Sequence, residues 1–199
     1  MEDKNTVMGK PMIQASPDGI LQHMLQSDYR EHNMLVYPSL DVLRDIYSRY
    51  CKSQLEKGKE IVVILSTYEN IPTVKRTLTD NGLDVSRFEK DDSLVVIDSV
   101  KGYFESNPDI LTTFEMLAKR AEGEKGGGCS AISDMGSFSF LNKEKELLEY
   151  ERSLPSRFNS MKCKGFCCYH QADFNRLSEN QKEQLFEHHY KNLIITDST

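Results

Sequence analysis

The stretch Ile61-Val62-Val63-Ile64-Leu65 is continuously apolar and rich in β-branched residues. A run of this kind is typical of a strand that is covered on both faces, as strands in parallel sheets are. A helix is predicted to follow from Asn70-Ile71-Pro72, because proline at an early helical position loses no hydrogen bond. We therefore place Ile61–Leu65 at the centre of a parallel sheet.

Strand-like and helix-like segments alternate on both sides of this stretch. The predicted strands, in chain order, are Met34–Tyr37, Ile61–Leu65, Leu94–Asp98, Cys129–Asp134, Gly165–Tyr169 and Leu193–Ile195. Segments with apolar residues at helical spacing separate them. The order predicts an α/β fold, with a doubly wound, mostly parallel sheet, right-handed crossovers and helices on both faces.

The length of 199 residues, of which 38% are hydrophobic, predicts a single domain. We expect residues 1 to about 16 to be disordered and Pro17–Gln26 to form a short helix, so that residues 1–30 precede one domain over residues 31–199. The first residues lack the apolar core of a signal peptide, and no apolar run approaches the ~20 residues that cross a bilayer. The sequence thus predicts a cytoplasmic protein without a membrane partner.

The formal net charge is −6, and basic residues are scattered among acidic ones. This pattern disfavours a nucleic-acid partner, which requires a clustered basic surface. The chain has five cysteines at uneven spacing, which are Cys51, Cys129, Cys163, Cys167 and Cys168. An odd number without a framework spacing indicates free thiols in a reducing compartment.

The segment Tyr37-Pro38-Ser39-Leu40-Asp41 follows the first predicted strand, where a nucleotide-binding α/β fold carries its phosphate loop. It lacks the glycines and the lysine that wrap a triphosphate, so ATP hydrolysis loses its main support and no cofactor is predicted. The cluster Gly126-Gly127-Gly128 follows a helix and precedes a strand, at the opposite end of the sheet. We interpret it as a helix terminator and turn.

Several segments together resemble one known family. They are His32-Asn33-Met34-Leu35-Val36-Tyr37-Pro38-Ser39-Leu40, Leu55-Glu56-Lys57-Gly58-Lys59, Asn81-Gly82-Leu83-Asp84-Val85, Leu148-Glu149-Tyr150-Glu151 and Phe166-Cys167-Cys168-Tyr169. In order and spacing they are similar to the MEDS family, the sensory domain of methanogens, methylotrophs and the dichloromethane regulator DcmR. The resemblance covers about Glu31 to Asp197.

The resemblance implies a relative of the KaiC and RecA ATPases that has lost the phosphate loop and senses small molecules, proposed to be hydrocarbon derivatives. The DcmR type also carries a DNA-binding helix-turn-helix ahead of the sensor. Only about 30 residues precede His32 here, too few for that module, so we expect the output to pass through a partner protein or a second copy of the chain. Where relatives have Gly-Glu followed by an aromatic residue, this chain has Asp134-Met135-Gly136-Ser137-Phe138. The acidic side chain is kept, but it is the shorter aspartate.

Four candidate ligand-binding residues lie where predicted strands end: Tyr37, Ser39, Glu69 and Asp134. Ligands of doubly wound folds bind at the carboxyl ends of the strands. KaiC-like relatives carry an acid at the position of Glu69 that polarises the attacking water. The alternatives are that Glu69 and Asp134 stabilise a helix start or a turn, and that Tyr37 is a core residue.

Three further candidates come from the resemblance and lie away from these ends. His32 precedes the first strand, where the family also has a histidine, and a structural hydrogen-bond donor is the alternative interpretation. Tyr150 and Glu151 belong to the family's Glu-Tyr-Glu motif and flank an apolar helix face. One of them is therefore expected to be a buried polar group that needs a partner.

The residues Cys163, Cys167, Cys168 and His170 offer metal-ligating or redox-active atoms. On a strand, however, Cys167 and Cys168 point to opposite faces and cannot reach one ion without a bulge. His188 and His189 are adjacent on a predicted helix, so their side chains also point in different directions and cannot bind one ion together. Buried thiols that act as small hydrophobes are the favoured interpretation, and no metal is predicted.

These observations favour a non-enzymatic sensory domain that binds a small, mostly apolar organic ligand at the strand ends and signals through protein contacts. One alternative is a degenerate ATPase or phosphotransferase with Glu69 as general base. Another is a ligand-free interaction scaffold. Turnover of ATP would identify the degenerate ATPase. A sheet edge without a cavity would identify the interaction scaffold.

Overall fold

One sheet of eight strands runs through the computed structural model, which describes residues 6–7 and 9–196. The strands are β1 (Thr6–Val7), β2 (Lys10–Ala15), β3 (His32–Tyr37), β4 (Ile61–Ser66), β5 (Leu94–Asp98), β6 (Cys129–Asp134), β7 (Cys163–His170) and β8 (Asn192–Ile195). Their order across the sheet is β1-β2-β8-β3-β7-β6-β4-β5. Only β1 pairs in the antiparallel direction, so seven of the described strands are parallel.

Helices connect the strands and cover both faces of the sheet. They are α1 (Pro17–Leu25), α2 (Leu40–Glu56), α3 (Ile71–Asp80), α4 (Val85–Lys90), α5 (Ser99–Phe104), α6 (Ile110–Lys125), α7 (Gly136–Phe140), α8 (Glu144–Ser160), α9 (Gln171–Arg176) and α10 (Glu179–His188). The prediction of an α/β fold with a mostly parallel sheet is confirmed. In the described residues, no helix is long and apolar enough to cross a bilayer.

Two predictions about the sheet are wrong. Lys10–Ala15, which we expected to be disordered, forms β2 and pairs in parallel with β8, where Ile13 and Ala15 pack against the core. A short strand with a single proline at its start and only two inward side chains gives too weak a sequence pattern for recognition. The predicted disorder of residues 1–5 and 8 lies outside the described residues.

The strand β4 was predicted at the sheet centre but lies beside the edge strand β5. All six of its residues are nevertheless buried. A continuous apolar run therefore indicates that helices cover both faces of the strand. It does not indicate whether the strand lies at the centre or near the edge of the sheet.

Each face of the sheet has its own hydrophobic core. One core contains buried residues of α1, α2, α3 and α4, together with the strand residues Tyr37, Ile132 and Cys168. The other contains buried residues of α6, α8 and α10, together with the strand residues Met34 and Cys167. Side chains alternate along β6 and β7 between the two cores, so the two faces carry separate sets of candidate residues.

Local sequence signals account for the helix ends. Ser39 and Asn70 act as N-caps, accepting hydrogen bonds from the backbone N–H groups of Val42 and Thr73 at 3.4 and 2.9 Å. Gly126 ends α6 with a left-handed φ of 72°, as the glycine cluster predicted.

Helix α8 contains a proline in its interior, Pro155. Proline has no backbone N–H, so the carbonyl of Glu151, four residues earlier, loses its regular helical partner. The helix still continues to Ser160 because Leu154 and Phe158 remain packed in the core.

Candidate functional site

The carboxyl ends of β3, β6 and β7 meet at one edge of the sheet. Tyr37 lies opposite His170 in the register of β3 and β7, and Asp134 lies opposite Cys168 in that of β6 and β7. Of the residues that the sequence placed at strand ends, Tyr37 and Asp134 are close enough to influence each other's charge. We call Tyr37, Asp134 and His170 the edge cluster.

Asp134 is only 3% exposed, and its carboxylate accepts hydrogen bonds from the backbone N–H groups of Gly136 at 3.0 Å and Thr67 at 3.4 Å. Burial raises the pKa of Asp134 to about 7, although these hydrogen bonds favour the charged form. The group therefore takes up or releases a proton near neutral pH.

The ring of Tyr37 is fully buried and makes an edge contact with the ring of His170, at 5.3 Å between centroids. Its hydroxyl faces the Asp134 carboxyl without a well-formed hydrogen bond to any of the described residues. Burial and the neighbouring Asp134 raise the pKa of Tyr37, so the hydroxyl keeps its proton. A buried hydroxyl without a partner is costly to leave unsatisfied, and it marks a place where a ligand gains a hydrogen bond.

A residue that the sequence did not indicate, Tyr68, covers the edge cluster. Its ring lies 5.9 Å from that of His170, and its hydroxyl donates a hydrogen bond to Asp173 on α9. A Cβ atom at Gly136 would come within 2.7 Å of the Tyr68 ring, so the glycine allows the ring to sit there. Tyr68 is 41% exposed, so it separates the edge cluster from solvent.

Glu69 is occupied by contacts within the chain. Its carboxylate accepts hydrogen bonds from Nε of Arg44 at 2.9 Å and from the Tyr47 hydroxyl at 3.4 Å. Helix capping, the alternative interpretation of Glu69, belongs instead to Asn70. The side chain of Ser39 caps α2, and Nδ1 of His170 accepts a hydrogen bond from the backbone of Ala172 at 3.2 Å.

The space beside the edge cluster is small. A cleft between α7, α9 and the end of β7, lined in part by Met135, Tyr169 and Arg176, has a volume of about 20 Å³. A second cleft, lined in part by Glu69 and Asp134, has a volume of about 10 Å³. Volumes of this size hold about one water molecule, so a larger ligand enters only when a covering side chain moves.

His32, Tyr150 and Glu151 lie away from the edge cluster. His32 begins β3, at the amino end, and its Nε2 atom lies 3.3 Å from Oε2 of Glu151 on α8. Tyr150 turns instead into an aromatic group, with its ring 5.3 Å from that of Tyr103. We predicted that either Tyr150 or Glu151 is a buried polar group with a hydrogen-bond partner. Glu151 is that group.

Glu151 lies at the centre of a second cluster, which we call the buried tetrad: His32, Glu151, Cys167 and His189. The tetrad lies on the face covered by α6, α8 and α10. Tyr169 donates a hydrogen bond of 2.5 Å to Oε1 of Glu151. Burial raises the pKa of Glu151, but the neighbouring His189 and His32 outweigh it and hold the pKa below its ordinary range.

The electrostatics of His32 differ from those of Glu151. Burial and the neighbouring His189 lower the pKa of His32 to about 4, so its imidazole is neutral at physiological pH. His189 follows α10 directly, and its ring lies 4.4 Å from that of His32. The sequence paired His189 with His188 and missed its contact with His32, because nothing local indicates which strands are neighbours.

The four residues named as metal or redox candidates do not come together. Cys167 and Cys168 belong to the cores of opposite faces, which confirms the alternation predicted for the strand. Cys163 lies opposite Cys129 in the register of β6 and β7, and His170 lies at the far edge. All five cysteines are free and buried, as predicted.

The fold and the edge define a class of protein: an α/β domain with a mostly parallel sheet, in which Tyr37, Pro38 and Ser39 follow β3 without the glycines and lysine of a phosphate loop. A KaiC-like protein from the archaeon Pyrococcus horikoshii OT3 superimposes with a TM-score of 0.57 at 13% identity, over 86% of this chain and 75% of that chain. An uncharacterized protein from Pyrococcus horikoshii, solved in complex with an unknown peptide, gives 0.59 at 12% identity, over 88% and 82%. At these identities the similarity concerns the fold alone.

A match of the sequence to a family model shows the family of the chain. Residues 31–190 match the family model described as MEDS, the MEthanogen/methylotroph, DcmR Sensory domain. The chain therefore belongs to the MEDS family, as its motifs indicated. No curated protein sequence matches the chain.

Proposed function

We propose that this MEDS domain is a non-enzymatic sensor that binds a small, mostly apolar organic molecule at the edge cluster and signals through protein contacts. The observation that carries the proposal is the buried Tyr37 hydroxyl beside Asp134, which makes no well-formed hydrogen bond to any of the described residues. The cleft beside Asp134 is lined in part by the apolar side chains of Leu43, Ile64 and Ile132, with Ser66 and the Arg44-paired Glu69 as further polar groups. Such a site suits a ligand with one hydroxyl or similar polar group on an apolar body.

Tyr68 controls access in this proposal. The clefts beside the edge cluster hold about one water molecule, so a ligand binds only to an arrangement in which Tyr68 has turned outward. The movement breaks the hydrogen bond from Tyr68 to Asp173 and frees the start of α9. A ligand that prefers this arrangement increases its population and changes the surface offered to a partner protein or a second copy.

The contacts of Glu69 and Ser39 support this proposal over a degenerate ATPase. A general base needs a free carboxylate, and that of Glu69 is paired with Arg44 at 2.9 Å. In the segment after β3, the side chain of Ser39 accepts a hydrogen bond at the start of α2, so it is not available to a nucleotide. It also contains Pro38, which lacks the N–H group that a phosphate cradle uses.

A thermal-shift screen with short alcohols, halogenated hydrocarbons and nucleotides tests the proposal. A ligand that binds only the folded state raises the Tm by an amount that grows with the logarithm of its concentration above Kd. We expect a shift with a member of the first two classes, reduced by Tyr37→Phe and kept by Tyr50→Phe. Tyr50 is a matched control, because its hydroxyl is also buried and unpartnered in the described chain but lies in α2, near Lys164.

Two results would contradict the proposal. Stabilisation by ATP with measurable turnover would identify a degenerate ATPase instead. A full screen without any shift in Tm, together with capture of a protein partner by the unliganded chain, would identify an interaction scaffold.

A further inference from the structure

We propose that the buried tetrad binds one divalent transition-metal ion of the Zn²⁺ class. The ligand atoms of His32, Glu151, Cys167 and His189 all lie within 4.8 Å of one another. They come from β3, α8, β7 and the turn before β8, which only the folded chain brings together. The inference does not depend on the proposed sensor function, because the edge cluster lies at the carboxyl ends of the strands and its Tyr37 faces the other core.

The spacing of the imidazole and carboxylate atoms is that of a tetrahedral site. Oε2 of Glu151 lies 3.3 Å from Nε2 of His32 and 3.2 Å from Nε2 of His189. Around a tetrahedral zinc ion with bonds of about 2.0 to 2.3 Å, neighbouring ligand atoms are about 3.3 to 3.7 Å apart. The widest pair of the tetrad therefore closes by about 1 Å on binding, a movement within the range of side-chain rotation.

His189 supplies the independent evidence for a ligand. Its Nδ1 atom lies 2.6 Å from the carbonyl oxygen of Leu185, an acceptor, so Nδ1 carries a proton and Nε2 is the atom left to bind a metal. Nε2 is buried, and in the part of the chain that the structure describes it faces Oε2 of Glu151. The 3.2 Å between Nε2 and a carboxylate oxygen requires a cation between them, which is a proton on the imidazole in the metal-free chain and the metal ion that replaces it on binding.

The charges of the tetrad match a divalent ion. With Glu151 as a carboxylate and Cys167 as a thiolate, the ligands carry two negative charges, which a divalent ion neutralises completely. Each of the four residues is buried, and burial of a net charge is expensive. Binding of the metal displaces the thiol proton of Cys167, since the thiolate is the form that ligates.

The surrounding residues orient the ligands. Tyr169 donates to the other oxygen of Glu151, and the Leu185 carbonyl fixes the His189 ring, as second-sphere groups do at zinc sites. Two imidazoles, a thiolate and a carboxylate form a donor set that suits Zn²⁺. Four protein ligands leave no position for water, so the ion joins the four elements and takes no part in hydrolysis.

Refolding of the full chain from denaturant with Zn²⁺ or Co²⁺, followed by removal of free metal, tests the site. We expect one bound ion per chain, a higher Tm than after refolding with a chelator, and the visible and thiolate charge-transfer bands of tetrahedral Co²⁺. Wild-type protein that retains no ion and shows no such bands would overturn the proposal, and this result needs no variant.

Two neighbouring cysteines provide a matched comparison. Cys167→Ser should abolish the charge-transfer band and weaken metal binding by more than the about 100-fold that second-sphere changes cost. Cys168→Ser should leave both unchanged, because Cys168 is equally buried but belongs to the opposite core. If Cys167→Ser does not fold, His189→Gln takes its place with the same expected loss of affinity. Equal losses in Cys168→Ser would contradict the assignment.

Discussion

Nε of Arg44 lies 2.9 Å from Oε1 of Glu69, and the two side chains differ strongly in exposure, at 35% and 4%. The carboxylate that follows β4 is therefore neutralised by a guanidinium that keeps its own contact with water. Removal of Arg44 leaves a buried carboxylate, whereas removal of Glu69 leaves a partly exposed guanidinium. The two substitutions should therefore lower the free energy of unfolding by different amounts.

We expect Arg44→Ala to lower the free energy of unfolding by about 3 kcal/mol, because it leaves a buried carboxylate without its cation. Glu69→Gln should cost about 1 kcal/mol, because Arg44 remains half in solvent and also contacts Asp41. Urea unfolding of the two variants measures both values, with Asp41→Asn as the exposed control. Equal costs for Arg44→Ala and Glu69→Gln would show that the pair is not organised in this way.

Asp134 should make stability fall as the pH rises. Its pKa in the folded protein is raised from 3.8 to about 7, so the folded state holds a proton that the unfolded state has released. The contribution is fully present below about pH 4 and is lost as the pH rises to about 7, by a total on the order of 4 kcal/mol.

The comparison for this prediction is Asp134→Asn, which cannot ionise and should lose that part of the pH dependence. Asp98→Asn should keep it, because Asp98 also ends a strand but caps α5 through the backbone of Lys101 at 3.0 Å. Chemical denaturation at several pH values between about 4 and 8 supplies the measurement. Parallel profiles for wild type and Asp134→Asn would refute the prediction.

Glycines at the two ends of the sheet should differ in their response to alanine. Gly136→Ala should cost less than about 1 kcal/mol, because the clashing atoms belong to the end of the exposed Tyr68 side chain, which can turn away. Gly127→Ala should cost about 3 kcal/mol or more, because its Cβ would lie 1.8 Å from the carbonyl oxygen of Lys59. Thermal unfolding ranks the two variants, and the opposite order would contradict this account.

The pair of Lys164 and Glu60 offers a further test at the amino end of the sheet. Their side chains are 6% and 8% exposed, with Nζ 2.9 Å from Oε1, and Tyr29 and Ser130 also donate to Glu60. Lys164→Met should cost about 3 to 5 kcal/mol, because it leaves the carboxylate buried and uncompensated.

The double variant with Glu60→Gln should recover a large part of that loss, since no charge then remains at the site. A double-mutant cycle by urea unfolding measures the coupling. Additive losses would mean that the two groups do not act as a pair.

The sequence was informative where the physics is local. Aliphatic runs predicted the strands from β3 to β8, and the strand ends located Tyr37 and Asp134 at one edge. The alternation of side chains along a strand alone predicts that Cys167 and Cys168 lie on opposite faces of the sheet. Each of these inferences depends on periodicity along a few residues.

What the sequence did not predict depends on which strands are neighbours. Nothing near Tyr68 indicates that it covers the ends of β3 and β7, because the contact with Asp173 joins residues far apart in the chain. In the same way, His189 meets His32 only because β8 pairs with β3. Strand order is set by the packing of the whole chain, which no short window of sequence contains.

Pro155 gives α8 a mechanical property. The helix lacks one of its regular backbone hydrogen bonds at the turn that begins with Glu151, so bending there strains one bond fewer than in a turn without proline. The carboxylate at the centre of the buried tetrad is thus attached at the point where the helix bends most easily. A displacement of Glu151 can be absorbed within one turn of α8, while Phe158 beyond the proline stays fixed in the core.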